Sequence, residues 1–150
     1  MANTIHLISK KYLDPHEVSN TVEIIAQRLN YRSGKSYSQE YADIEINLFI
    51  EDIPGYLRIS IDCGPDHFNK TFDALYNING YGMLIEIECY YDNPLLIPFL
   101  VEMLKEIPEL LVYDEDTLQG DGAYIYTLSH LENFLEKSDN PLFGNPPQDL

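Results

Sequence analysis

Asp62-Cys63-Gly64-Pro65-Asp66-His67 is the one place in the chain where a thiol, an imidazole and two carboxylates crowd together. A thiolate forms at neutral pH only beside a base or a cation, so Cys63 and His67 could make a nucleophile. The same groups could donate to a metal ion. Against both readings, the alternation that leads into this stretch turns Cys63 inward, and no second Cys or His cluster supplies the remaining ligands of a tetrahedral site. Gly34-Lys35-Ser36 has the look of the end of a phosphate-binding loop. The pattern needs a glycine at position 29, which is Leu, and it needs a preceding strand, whereas a helix precedes it here. Asp114-Glu115-Asp116 with Asp121 suggests calcium, since hard cations want several carboxylates in one loop. The EF-hand spacing fails, because Leu118 and Gln119 stand where an oxygen ligand and a glycine belong, and a solvated turn is the simpler reading. His6, His16 and His130 stand alone, and there is no nucleophile-elbow serine, metalloprotease helix or glycine-rich dinucleotide loop. The residues therefore predict a protein that is not an enzyme and needs no cofactor and no metal.

The elements that would carry these residues follow from periodicity. Ile5 to Ile8 predicts a short edge strand. Asp14-Pro15-His16-Glu17 then supplies an N-cap, a proline at the first helical position and a capping-box glutamate, and Val18, Val22, Ile25 and Leu29 recur at helical spacing. A helix over 15–30 is expected, followed by a polar loop from Tyr31 to Tyr41. Residues 43–50 and 56–63 alternate, with Ile44, Ile46, Leu48, Leu57, Ile59, Ile61 and Cys63 inward, and Glu51-Asp52-Ile53-Pro54-Gly55 between them is turn chemistry, so the pair predicts a β-hairpin. Residues 64–81 are ambiguous, and 82–90 gives a further strand. Asn93-Pro94 or Pro98 opens a second helix with a stripe of Leu96, Leu100, Met103 and Ile107 that Pro108 ends. Two strands, 110–113 and 123–126, flank the acidic turn, and Thr127 can cap a last helix bearing Leu128, Leu131 and Leu135. The expected fold class is α+β, order β-α-β-β-β-α-β-β-α, with a mainly antiparallel sheet and helices on one face. Residues 1–137 form one domain, and 138–150, with three prolines, form an irregular tail.

Alternating strands require one solvated face, and parity collects Asp43, Glu45, Asn47, Tyr56, Arg58, Ser60, Asp62, Glu86, Glu88 and Tyr90 on it. Acids and tyrosines dominate there, with Arg58 the lone cation. One hairpin pairing sets Asp43 opposite Asp62; a shift of two residues sets Glu45 opposite Arg58 and is preferred on charge. Tyrosine gives large contact area at low entropic cost, and carboxylates complement Lys and Arg. The expected partner-binding residues are Asp43, Glu45, Tyr56, Asp62, Glu86, Glu88 and Tyr90, with Asp114, Glu115 and Asp116 of the acidic turn.

Composition agrees with that surface. The 150 residues hold 9 basic and 25 acidic side chains, a net charge of −16 at pH 7, and residues 1–35 alone carry a basic excess. Such a field repels phosphate backbones and anionic membranes and draws in cationic partners. No secretory signal and no membrane span is visible, and Cys63 and Cys89 both fall in strand-like runs as small buried hydrophobes, so a cytoplasmic, reducing location is expected.

From Pro94 to Asp116, where a Leu-rich helix leads into Pro108-Glu109-Leu110-Leu111-Val112-Tyr113 and then an acidic turn, the chain resembles the small immunity proteins encoded beside bacterial polymorphic or contact-dependent toxins. The resemblance is one of size, acidity and layout. It implies a protein that binds a cognate toxin domain and blocks its active site or substrate entry. After the first strand, the element order is also similar to that of the acidic chaperones of type III secretion, which are dimers that wrap an extended effector segment. A small Cys/His-dependent enzyme built on Cys63 and His67 is the third alternative.

Overall fold

The computed structural model describes residues 3–9, 11, 13–38, 43–62, 83–90, 92–114 and 124–136. Its strands are β1 (Asn3–Ser9), β2 (Arg32–Ser38), β3 (Asp43–Phe49), β4 (Leu57–Asp62), β5 (Met83–Cys89), β6 (Leu111–Asp114) and β7 (Tyr124–Tyr126). The helices are α1 (Pro15–Arg28), α2 (Leu96–Glu106) and α3 (Leu128–Glu136). The strands form one sheet in the order β2-β3-β4-β5-β1-β6-β7, and each neighbouring pair is antiparallel. This is the α+β fold that the alternation predicts, with one strand more than expected.

Local chemistry sets the helix starts. Asp14 Oδ1 accepts the His16 N–H at 2.8 Å, and Pro15 occupies the first helical position, where its missing N–H costs nothing. In α2, Pro98 lies in the first turn, which tolerates it for the same reason, and the Asn93 side chain accepts the Leu95 N–H at 2.9 Å just ahead of the helix. At α3 the Thr127 N–H donates to His130 Nδ1 at 3.0 Å, so an imidazole takes the place of the usual capping-box carboxylate.

Val18, Val22 and Ile25 of α1, Leu96, Phe99, Leu100 and Met103 of α2, and Leu131 of α3 meet one face of the sheet. That face presents Ile44, Ile46, Leu48, Leu57, Ile59, Ile61, Ile85, Ile87, Ile5, Leu7 and Val112, each at most 2% exposed. Burial of an aliphatic side chain stabilises by roughly 1.5–3 kcal/mol, so this layer supplies most of the driving force for folding. Arg28 clamps α1 to α2, donating to Glu102 and to Glu106 at 3.0 Å each. Among the described residues, no helix is long and apolar enough to cross a membrane.

Four expectations are corrected. Residues 32–38 form β2 rather than a loop; Arg-Ser-Gly-Lys-Ser-Tyr-Ser has no apolar alternation because its described side chains are exposed on both faces of a terminal strand. β1 is central, between β5 and β6, and Ile5 to Ser9 are buried in succession, as in a strand covered on both sides. The hairpin takes the register that sets Asp43 opposite Asp62. That register keeps three inward apolar pairs, Ile44/Ile61, Ile46/Ile59 and Leu48/Leu57, whereas the shifted one would set Leu48 against Gly55. Apolar pairing outweighs one like-charge apposition at the strand ends. Finally, Asp114 is not a turn residue at the surface. It ends β6 opposite Ile5, on the helix-covered face, and is fully buried.

Candidate functional site

The second face of the sheet divides in two. Across β1 and β6 it is sealed, with His6, Ile8 and Tyr113 buried there. Across β2 to β5 it is open, and the register lays its side chains out in rows, because residues directly opposite in antiparallel strands share a face. Gly34, Asn47, Arg58 and Glu88 make one row, and Ser36, Glu45, Ser60 and Glu86 make the next, which continues to His6. At the end of the sheet where the β3–β4 turn lies, Arg32 is paired with Phe49, and Tyr56 and Tyr90 each stand two residues beyond the Arg58–Glu88 pair. This end is aromatic: Tyr56 is 54% and Tyr90 53% exposed, and Phe49 lies at 36%.

The turn behind these rings is braced. The Ile53 N–H donates to the Ile50 carbonyl at 3.2 Å, and Gly55 takes φ +91°, a left-handed conformation that side-chain-bearing residues rarely adopt. Buried Asn93 reaches across from the start of α2 and donates to the Tyr56 carbonyl at 3.4 Å. A Cβ on Gly55 would lie 3.3 Å from that same Asn93 amide. The start of α2 that carries Asn93 is itself tied to the α1–β2 connection, the Tyr31 hydroxyl donating to the Leu95 carbonyl at 3.0 Å. In front of the turn is an open depression of about 650 Å³, lined by Glu45, Asn47, Phe49, Ile50, Glu51, Ile53, Gly55, Tyr56 and Arg58.

Charge on this face is organised around Arg58. It donates to Glu45 at 2.9 Å on the diagonal of the register and lies 3.6 Å from Glu88 directly opposite, and the hydrogen bond to Glu45 leads the causes that raise its pKa. Arg32 pairs at 2.7 Å with Glu51, one of the residues that line the depression. His6 Nε2 lies 3.6 Å from Glu86 Oε1, a contact longer than a hydrogen bond. The pairs are solvent-exposed for the most part, so they fix side-chain positions more than they stabilise the fold.

Of the residues that the sequence singles out, Asp43, Glu45, Glu86 and Glu88 share the open face, with Tyr56 and Tyr90 at its end, and the register brings Asp62 opposite Asp43. Asp114 lies apart, buried in the core layer. Cys63, His67, Glu115 and Asp116, together with the 138–150 tail, lie outside the described residues. Cys89 is buried, and burial pushes its thiol up to about 12, the opposite of what a nucleophile needs. Among the described residues no group of three or more His, Cys, Asp or Glu is placed to hold a metal. Phe49, Glu51, Ile53 and Arg32 belong to the site without having been anticipated. Phe49 was legible, since Glu45, Asn47 and Phe49 share one parity; Arg32 was hidden inside a stretch that reads as a loop.

The chain matches no protein-family model, no curated protein and no solved structure.

Proposed function

We propose that the protein is a stoichiometric inhibitor of the immunity type, which binds a basic toxin domain through the open sheet face and blocks it. The observation that carries this reading is the row of exposed rings at the end of that face, Phe49, Tyr56 and Tyr90, beside Glu45, Glu51 and Glu88. Exposed tyrosines on a rigid sheet supply contact area at low entropic cost, and a rim of carboxylates selects for Lys and Arg. The net charge of −16 adds long-range attraction toward a cationic partner and opposes binding to nucleic acid or to an anionic membrane. A nuclease-type toxin has to be basic to hold phosphate, so an acidic inhibitor covers the surface on which the toxin depends. Such an inhibitor acts in the cytoplasm of the cell that makes the toxin.

The test is genetic and then biophysical. The toxin encoded by the neighbouring gene is induced with and without this protein, and binding of the purified pair is measured by calorimetry. Protection together with a 1:1 complex supports the reading. Survival of toxin-expressing cells that lack the protein would refute it.

A further inference from the structure

We infer that the depression between Phe49 and Tyr56 receives one arginine side chain of the basic partner. The inference rests on the binding reading above and names the group that this surface seats. The cavity of about 650 Å³ opens to solvent and is large enough for a guanidinium with its aliphatic stem and the adjoining backbone of the residue that presents it. Phe49, Ile53 and Tyr56 line it with apolar and aromatic surface against which the stem can pack, and a guanidinium stacks on aromatic rings.

Two carboxylates line the cavity, and each is already held in place: Glu45 by Arg58 at 2.9 Å and Glu51 by Arg32 at 2.7 Å. An ionised carboxylate has about four acceptor positions, so one arginine leaves room for a second without breaking the first pair. With Glu88 3.6 Å from Arg58, three glutamates stand with two arginines, so the patch is net negative and draws either cation, but a compact, strongly hydrated ammonium meets it only as a point charge. A planar, weakly hydrated guanidinium gains from ring faces and paired oxygens together. A partner carboxylate would have to displace Glu45 or Glu51 from its arginine inside a molecule of net charge −16.

The experiment titrates the full-length protein with a capped hexa-arginine peptide, a hexa-lysine peptide and a hexa-glutamate peptide, followed by NMR of backbone and aromatic resonances. The expected result is saturable shifts from hexa-arginine centred on Asn47, Phe49, Ile53 and Tyr56, with hexa-lysine weaker by about fivefold or more and hexa-glutamate silent. Tyr56→Leu, which keeps apolar area and removes the ring face, should weaken hexa-arginine by about fivefold or more, whereas Tyr56→Phe should stay within about twofold. Glu51→Gln gives an independent reading and should weaken it as well. Equal binding of arginine and lysine peptides, shifts centred elsewhere, or indifference to both Tyr56→Leu and Glu51→Gln would overturn the inference. A toxin that is neutralised through a different surface would overturn the pocket and leave the inhibitor reading standing.

Discussion

Tyr56 and Tyr90 hold more than half of their surface in solvent, so their truncation removes little that folding uses. Tyr56→Ala and Tyr90→Ala should leave the thermal midpoint nearly unchanged and weaken the complex with the basic partner by about tenfold or more each, read by calorimetry. Two other residues report on the interior through alkaline pH. Cys89 is raised from its ordinary 9.0 to about 12, by burial first and by nearby Asp92 second, and Tyr31 is raised from 10.0 to about 12 by burial. Both stay protonated in the folded chain at a pH where the unfolded chain has released its protons. Their contribution is therefore complete below pH 9 and is lost as pH rises toward 12. Denaturation midpoints should fall across that window, and Cys89→Ala with Tyr31→Phe should flatten the slope even though each lowers stability at neutral pH. In the native state Cys89 should also resist alkylation at pH 8 until the protein is unfolded.

At the scale of elements, α1 depends on its cap. Asp14→Ala removes the acceptor of the His16 N–H and should cost about 1 kcal/mol, seen as a lower midpoint in urea with an unchanged slope. β2 raises a different question, because a terminal strand presents backbone groups to other chains. Lys35 stands opposite Ile46, on the helix side of the sheet at its margin, and remains exposed. A charge there is a recognised guard against edge-to-edge pairing, so Lys35→Ile should shift the protein toward dimers or larger species in sedimentation velocity. The β3–β4 hairpin shows how competing terms resolve within an element. Both registers keep the same residues inward, since they differ by two, and the additional Leu48/Leu57 contact wins over the charge match that the shifted register would give. Arg58 still reaches Glu45, on the diagonal.

Taken whole, the molecule is a sheet sealed on one face by three helices and open over part of the other, inside a strongly acidic field. That field acts on encounter more than on the bound state. The association rate with a basic partner should fall steeply as ionic strength rises from about 0.01 to about 0.15 M, while the dissociation rate changes little, in stopped-flow measurements. A rate indifferent to salt would mean that the charge serves solubility alone.

Features that depend on neighbours along the chain were legible before folding. The Asp14-Pro15 helix start, the helical stripes of α1 and α2, the alternation of β3, β4 and β5 and hence the parity of Glu45, Arg58, Glu86 and Glu88 are all local, and they follow from side-chain period and turn chemistry. Pairing partners and coverage are not local, and they are set by contacts between distant segments. β2 is a strand because β3 offers it a ladder, although its own residues carry no strand pattern. β1 is central because β5 and β6 both pair with it, and with His6 and Ile8 buried on its second face the open surface of β2 through β5 does not continue across it. Asp114 is drawn into the core by pairing opposite Ile5. The depression itself needs Phe49, Glu51, Ile53 and Tyr56 brought together by a turn that Asn93, from a distant segment, braces. Periodicity fixes which way a side chain points; only the contacts of the folded chain fix what stands next to it.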